Sequence, residues 1–202
     1  MDDTFLTARV FADVIRSLNA AGNAPATSTN YSFKDQSDNL WVSRTSVDKM
    51  YFQETDFLRI DEKGIPQAPF ADQKASAETD IHCALYEFFP DTKVILHSHS
   101  LYPVLLSSLN QSSMLFEGFE IQKGLRKVTT HEGQILIPIL KNSQDMKDIR
   151  DQIHQRLPEL KYGVFMIEKH GFYAWGTSLF EAKRYLETFN YLCECLWKLN
   201  NR

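Results

Sequence analysis

The chain of 202 residues contains no apolar stretch near the roughly 18 residues that a membrane span requires. It has no basic run of the kind that marks a nucleic-acid or anionic-membrane surface, and its formal charge is only −4. Cysteine is scarce, with three residues, an odd number that argues against a disulfide framework. Cys193 and Cys195 lie two apart in a predicted helix, roughly 200° apart around its axis, so they cannot share one metal ion. Together with Cys83 they read as packing residues. The N-terminal MDDTFLTARVF lacks the basic and apolar regions of a signal peptide, and the expected location is the cytoplasm. There is no internal repeat, low-complexity tract or long linker. What remains is a globular composition: 43% hydrophobic residues and 14 phenylalanines supply a sizeable core. One domain spanning residues 1–202 is the expectation.

Helical and strand-like segments interleave along that domain. Phe5, Ala8, Phe11, Ile15 and Leu18 recur at steps of three and four, and Gly22 stops the helix they predict. NAPATSTNYS reads as a loop or irregular strand, NLWVS and DFLRI as strands, and SRTSVDKM as the connector between them. A helix is predicted from Ala77 to Phe89 with Ser76 as its N-cap. VILH is a strand, Pro103 to Leu109 a helix, and QILIPIL a strand whose Pro138 suggests an edge or bulge. Ser143 can cap a helix carrying Met146, Ile149, Ile153 and Leu157. VFMIEKH and FYAWG read as two strands joined by a tight turn at Gly171. Ser178 and Glu181 form a capping-box pattern ahead of a long core-packing helix. Such interleaving points to an α/β fold.

The stretch VILHSHS carries the first chemical signal. Residues i and i+2 of a strand share a face, with Cα atoms roughly 6.5–7 Å apart. His97 and His99 can therefore reach one ion while Ser98 points away. Neutral imidazole suits zinc and similar divalent ions, although an HxH alone is equally two polar residues leaving a core. His170 ends a second apolar strand and is followed by Gly171, which permits close backbone approach. Three imidazoles on one rim leave positions open, the pattern of catalytic zinc. His131 reads as a loop residue, His154 as a helix-surface residue, and His82 as a structural residue that can share the face of Glu78. Glu78 itself reads equally as a helix-dipole carboxylate or a site residue. Glu120 lies between Phe119 and Ile121. Apolar surroundings raise a carboxyl pKa and suit proton transfer, whereas the spacing alone is that of an exposed glutamate.

Four stretches, ATSTNYS, SRTSVDK, ASAETDIHCALYEFFPDTKVILHSHS and EKHGFYAWG, together resemble the class II aldolase/adducin-type superfamily. The resemblance runs over nearly the whole chain. It implies a three-layer α/β/α fold with a mostly antiparallel central sheet, a homotetramer with sites near subunit interfaces, and one zinc ion per subunit on His97, His99 and His170. FEGFEIQKGLRKVTTHEGQILIPIL, NSQDM and HGFYAWGTSLFEAKRYLETFNYLCEC are similar to the superfamily's dehydratases of methionine salvage. That narrower resemblance implies a hydro-lyase acting on a small phosphorylated thio-ketose, with Glu120 as acid/base. A sugar-phosphate aldolase or 4-epimerase is the alternative. Glu78 matches the catalytic glutamate of those aldolases, a position that is not consistently glutamate in the dehydratases. Ser28, Asn30, Thr45, Ser46 and Ser76, with Glu78 and Lys123, are the candidates for binding substrate and its phosphate. Many relatives carry glycine where this chain has Thr29 and Ser46. Phe116 and Phe172 are candidate contacts for a methylthio group.

Overall fold

A computed structural model describes residues 8–109 and 111–201. The first turn of the predicted N-terminal helix, residues 5–7, lies outside the described residues. Helix α1 runs Ala8–Ala20 and buries Phe11, Ala12, Ile15 and Leu18, the residues spaced for one face. Strands β1 (Tyr31–Lys34), β2 (Leu40–Ser43) and β3 (Phe57–Ile60) follow. Helix α2 (Thr79–Phe88) leads to β4 (Val94–Ser98), α3 (Leu101–Ser107), β5 (Ser113–Phe116) and β6 (Ile135–Leu140). Helix α4 (Met146–Gln155), β7 (Val164–Ile167), β8 (Gly171–Gly176) and α5 (Leu179–Asn200) complete the order.

The eight strands form one sheet in the order β3-β2-β1-β4-β8-β7-β6-β5. Every pairing is antiparallel except β6 with β7. Strand alternation divides the core between the two faces. Tyr31, Phe33, Val94, Leu96, Phe172 and Ala174 pack with residues of α1, α3 and α5. Ile95, Tyr173 and Trp175 pack with residues of α2 and α4. The fold is three layers, α/β/α, with a mostly antiparallel sheet. Among the described residues no helix is long and apolar enough to cross a membrane.

Several local expectations are corrected by tertiary contacts. β1 is a regular strand where the sequence suggested a loop or irregular strand, and β5 is a strand to which no sequence signal pointed. α2 starts at Thr79 with Glu78 at its N-cap, and Ser76 does not cap it; its Oγ accepts only a long bond from Glu78 N at 3.4 Å. Asp145 caps α4 in place of Ser143. Ser178 caps α5, but the Glu181 carboxylate reaches back one residue further, to Thr177 N at 3.0 Å. Pro138 is not on an edge strand, because β6 sits between β7 and β5. Its missing N–H is tolerated because the ladder to β7 begins only at Ile139. Cys83 and Cys193 are buried free thiols, consistent with packing roles.

Gly171 is not the turn itself. Glu168–His170 form the turn, Lys169 takes the left-handed conformation (φ 53°), and Gly171 already pairs with Ile167. Its requirement is close approach. A Cβ there would run into Ser98 O and come within 2.7 Å of His99 Cδ2 and 2.8 Å of His97 Cε1. Gly171→Ala should therefore force β8 away from the end of β4, costing about 2 kcal/mol in urea unfolding and weakening binding of a divalent metal by the neighbouring histidines. Unchanged unfolding and unchanged metal titration would contradict this account.

Candidate metal centre

His97 is the fourth residue of β4 and fully buried, on the sheet face covered by α2. Its ring stacks on Tyr173 with centroids 4.1 Å apart. Its Nδ1–H donates to Phe172 O at 2.9 Å, which leaves the Nε2 lone pair pointing out of the strand end. His99 lies one residue beyond β4 and turns back onto the same side, its Nε2 2.7 Å from that of His97. Ser98 points the other way and donates to Asn23 O at 3.1 Å. His170 arrives from the β7–β8 turn, and its Nδ1 meets Asn142 Oδ1 at 3.3 Å. One ligand nitrogen from each of the three histidines lies within 4.8 Å of the others.

Glu78, at the start of α2, completes the cluster. Its Oε1 lies 2.9 Å from His170 Nε2, and its Oε2 lies 3.3 Å from His97 Nε2. Oε2 also accepts from Tyr173 OH at 2.5 Å and Asn30 Nδ2 at 2.7 Å. Asn30 is held in turn. His82 Nε2–H donates to Asn30 Oδ1 at 2.5 Å, so His82 Nδ1 must accept from Ser32 Oγ, 2.7 Å away. Tyr86 OH, 2.9 Å from Ser32 Oγ, then donates to it. A buried chain from Tyr86 through Ser32, His82 and Asn30 thus fixes one carboxylate oxygen. His82 is structural, as the sequence suggested, but it serves the site through Asn30.

The electrostatics are those of a cation-seeking pocket. Burial pushes His97 and His82 down to about 4 and His99 down to about 3, so these three rings are neutral near pH 7. Burial alone would raise Glu78, but the His97 and His170 imidazoles and the Tyr173 hydroxyl outweigh it and hold the carboxyl low. The lone pairs of His97 and His99 and an ionised carboxylate thus converge at this point. Nitrogen donors of this softness fit zinc, and three of them fit an open site.

The remaining candidate residues are dispersed. Asn30 is committed to Glu78 and His82. Ser28 donates to Pro25 O at 2.5 Å. Thr45 and Ser46 line an open cleft of about 550 Å³ with Arg44, Gln73 and Lys74. Of the two readings of Glu120, the structure bears out the exposed one. It begins a 3-10 segment, Glu120–Gly124, its side chain is 68% exposed, and it pairs with Lys123 and, at 3.3 Å, with His131 Nδ1. The Lys123 ammonium lowers its carboxyl below the usual range; the flanking apolar residues do not raise it. Lys123 is committed to that pair. Its described contacts include none of the three histidines. His154 is on the surface of α4, its ring against Phe88, as expected. Phe116 and Phe172 belong to the core on the opposite sheet face from His97, which removes them as methylthio contacts.

Residues 9–197 match the Class II Aldolase and Adducin N-terminal domain. The chain belongs to the class II aldolase family. A relative from Picosynechococcus sp. named methylthioribulose-1-phosphate dehydratase is 46% identical over 184 residues, covering 90% of this chain and 87% of its own. The fold of this class II aldolase-family chain is also that of YgbL from Escherichia coli (TM-score 0.80, 20% identity, 95% and 88% of the two chains covered). The L-fuculose-1-phosphate aldolase of Thermus thermophilus shares it as well (TM-score 0.75, 20% identity, 94% and 93% covered).

The family chain's neutral histidines lead to a pH prediction. Both His82 and His97 have folded values near 4, below the ordinary 6.5. Between those values the unfolded chain binds protons that the folded chain refuses. Stability of the metal-free protein is therefore full above about pH 6.5 and falls as pH drops toward 4, by up to about 3 kcal/mol per histidine. Chemical unfolding at pH 7 and pH 4.5 measures it, and equal stabilities at the two pH values would refute it.

Proposed function

We propose that this chain is a methylthioribulose-1-phosphate dehydratase of methionine salvage, working as a cytoplasmic homotetramer. The reaction removes water from 5-methylthioribulose 1-phosphate and yields 5-methylthio-2,3-dioxopentyl 1-phosphate. The observation that carries this reading is the cluster of His97, His99 and His170 with the ionised Glu78 against it, in a chain 46% identical to a relative of that name. The three histidines are the assigned zinc ligands. Zinc bound there supplies Lewis acidity toward the ketone oxygen, which makes the neighbouring C3 proton removable.

The protein's own groups do the rest. The C3–H bond breaks to a base, the C4–O bond breaks as the hydroxyl takes a proton, and the enol left behind becomes the second ketone. Glu120 is assigned to move these protons. Ionised by Lys123, it is already a base at neutral pH. Since its described contacts within the chain stop at Lys123 and His131, the reading sets it opposite the histidines of a neighbouring copy. Glu78 is pinned through Oε2 by Tyr173 and Asn30, which fixes its Oε1 beside His170. Phosphate is assigned to the segments carrying Ser28, Thr45, Ser46 and Ser76.

A second reading, a sugar-phosphate aldolase or 4-epimerase, is favoured by one observation: Glu78, which matches those aldolases' catalytic glutamate, touches His97 and His170. Product analysis separates the two, because dehydration gives a diketone and aldol cleavage gives a glycolaldehyde-type fragment.

His97→Ala should lose both zinc and turnover. Glu120→Gln should keep zinc and lose turnover by about 10²- to 10⁴-fold. Full activity of Glu120→Gln would remove it from the reaction. Co-assembly of His97→Ala chains with Glu120→Gln chains should recover part of the activity, since some sites would then hold both intact residues. No recovery in verified mixed tetramers would confine Glu120 to its own chain's site.

A further inference from the structure

Lys49 is a lysine that its neighbourhood does not require for solubility, since it is 1% exposed. It starts a short 3-10 turn, Lys49–Tyr51, capped by Asp48. Its Nζ donates to two backbone carbonyls, Val47 O at 2.8 Å and Thr27 O at 3.1 Å. An ammonium has three donors, and both these acceptors are neutral. The nearby carboxylates are engaged elsewhere. Asp48 accepts from Met50 N, and Asp56 accepts from Arg44 and Gln53 N. Burying a cation without an ionic contact is costly, and burial pushes Lys49 down to about 8, against the pull of Asp48 and Asp56.

The two acceptors belong to separate loops. Thr27 lies in a run where Ala26 (φ 52°), Thr27 (φ 45°) and Thr29 (φ 78°) take the left-handed conformation, and Ser46 (φ 61°) takes it beside Val47. Non-glycine residues are held there only when surrounding contacts demand it. The first loop carries Ser28 and leads into Asn30. The second carries Thr45 and Ser46, and Thr45 N bonds Lys74 O at 3.2 Å while Arg44 bridges Ala75, next to Ser76. Lys49 is thus the covalently remote point at which the hydroxyl-bearing loops are tied together.

We propose that Lys49 is a positioning residue for the substrate's phosphate: its buried ammonium ties the 26–29 and 45–47 loops into one anion cradle and supplies the positive potential there. The inference rests on the phosphorylated-substrate reading. It explains why a cation is kept buried between two neutral carbonyls: its neutralising partner arrives with the ligand.

The test uses the zinc-loaded enzyme, inorganic phosphate as the probe, and the variants Lys49→Met and Lys49→Arg. Lys49→Met should weaken calorimetric phosphate binding at least tenfold and raise KM in step, with zinc content kept and the loss falling on KM rather than kcat. Lys49→Arg should restore phosphate binding to within about threefold of the parent. A merely structural lysine would lower kcat and zinc content together and show no phosphate-specific loss. That result, or phosphate binding unchanged in folded Lys49→Met, overturns the proposal. If Lys49→Met does not fold, the parent decides: its Lys49 Cε resonance, assigned by its absence in Lys49→Arg, should shift as phosphate is added. A resonance unmoved at saturating phosphate overturns the proposal, as does a parent that binds no phosphate. Neither result touches the dehydratase reading, which stands on the diketone product.

Discussion

The register between β4 and β8 is the constraint on which the centre depends. It sets His97 opposite Tyr173 and Ser98 opposite Phe172. That single alignment stacks the two rings, aims the His97 Nδ1–H at Phe172 O, and brings the Tyr173 hydroxyl to Glu78. A slip of one residue would turn His97 to the α1/α3/α5 face and bury an imidazole among phenylalanines. The register can close only because Gly171 presents no side chain to Ser98 O and the two imidazoles. The turn before it then delivers His170 with no further adjustment.

From this alignment the polar chain behind Glu78 follows. Strand alternation turns Ser32 of β1 toward α2 while Tyr31 and Phe33 face the other core. His82 on α2 spans the gap between Ser32 and Asn30, and Ser32, His82 and Asn30 each have one donor role and one acceptor role filled. A buried network satisfied in this way holds a single arrangement, so Glu78 cannot turn aside. Its ionised state pulls His97 toward protonation, but burial of that ring outweighs the pull, so a free imidazole lone pair stands beside the carboxylate.

The sequence makes the histidines legible because strand periodicity is a backbone property. His97 and His99 share a side in any strand, and an apolar run ending in His-Gly brings a third imidazole to the same rim. The long α5 and the helix faces of α1 and α2 are legible for the same reason. The partners of Glu78 are not, since Asn30 lies 48 residues before it and Tyr173 95 after it. The sequence leaves Glu120 open because apolar neighbours do not determine where a carboxylate points in a 3-10 turn. Here it points to solvent and Lys123. β1 and β5 are four-residue strands whose regularity comes from their neighbours. The connector SRTSVDKM conceals Lys49, because nothing local signals that a lysine will be enclosed.

The left-handed residues link these observations. Thr29 and Ser46 both keep a positive φ, at a cost of order 1–3 kcal/mol each. A chain free to relax would abandon those conformations, and the loops would lose their shape. Thr29 is held by its hydroxyl on Tyr31 OH at 2.9 Å and by Asn30, the next residue, on Glu78 and His82. Ser46 is held between Thr45, bonded to Lys74 O, and Val47, bonded to Lys49. The strain in the loops and the rigidity of the metal centre therefore share supports. The polar chain that fixes Glu78 also fixes the exit of the first loop, which the Lys49 ammonium joins to the second. The distance between anion cradle and metal centre is consequently a property of the folded scaffold rather than of the ligand. For a reaction that must hold a phosphate at one end and polarise a ketone near it, that fixed spacing is what orients the substrate before any proton moves.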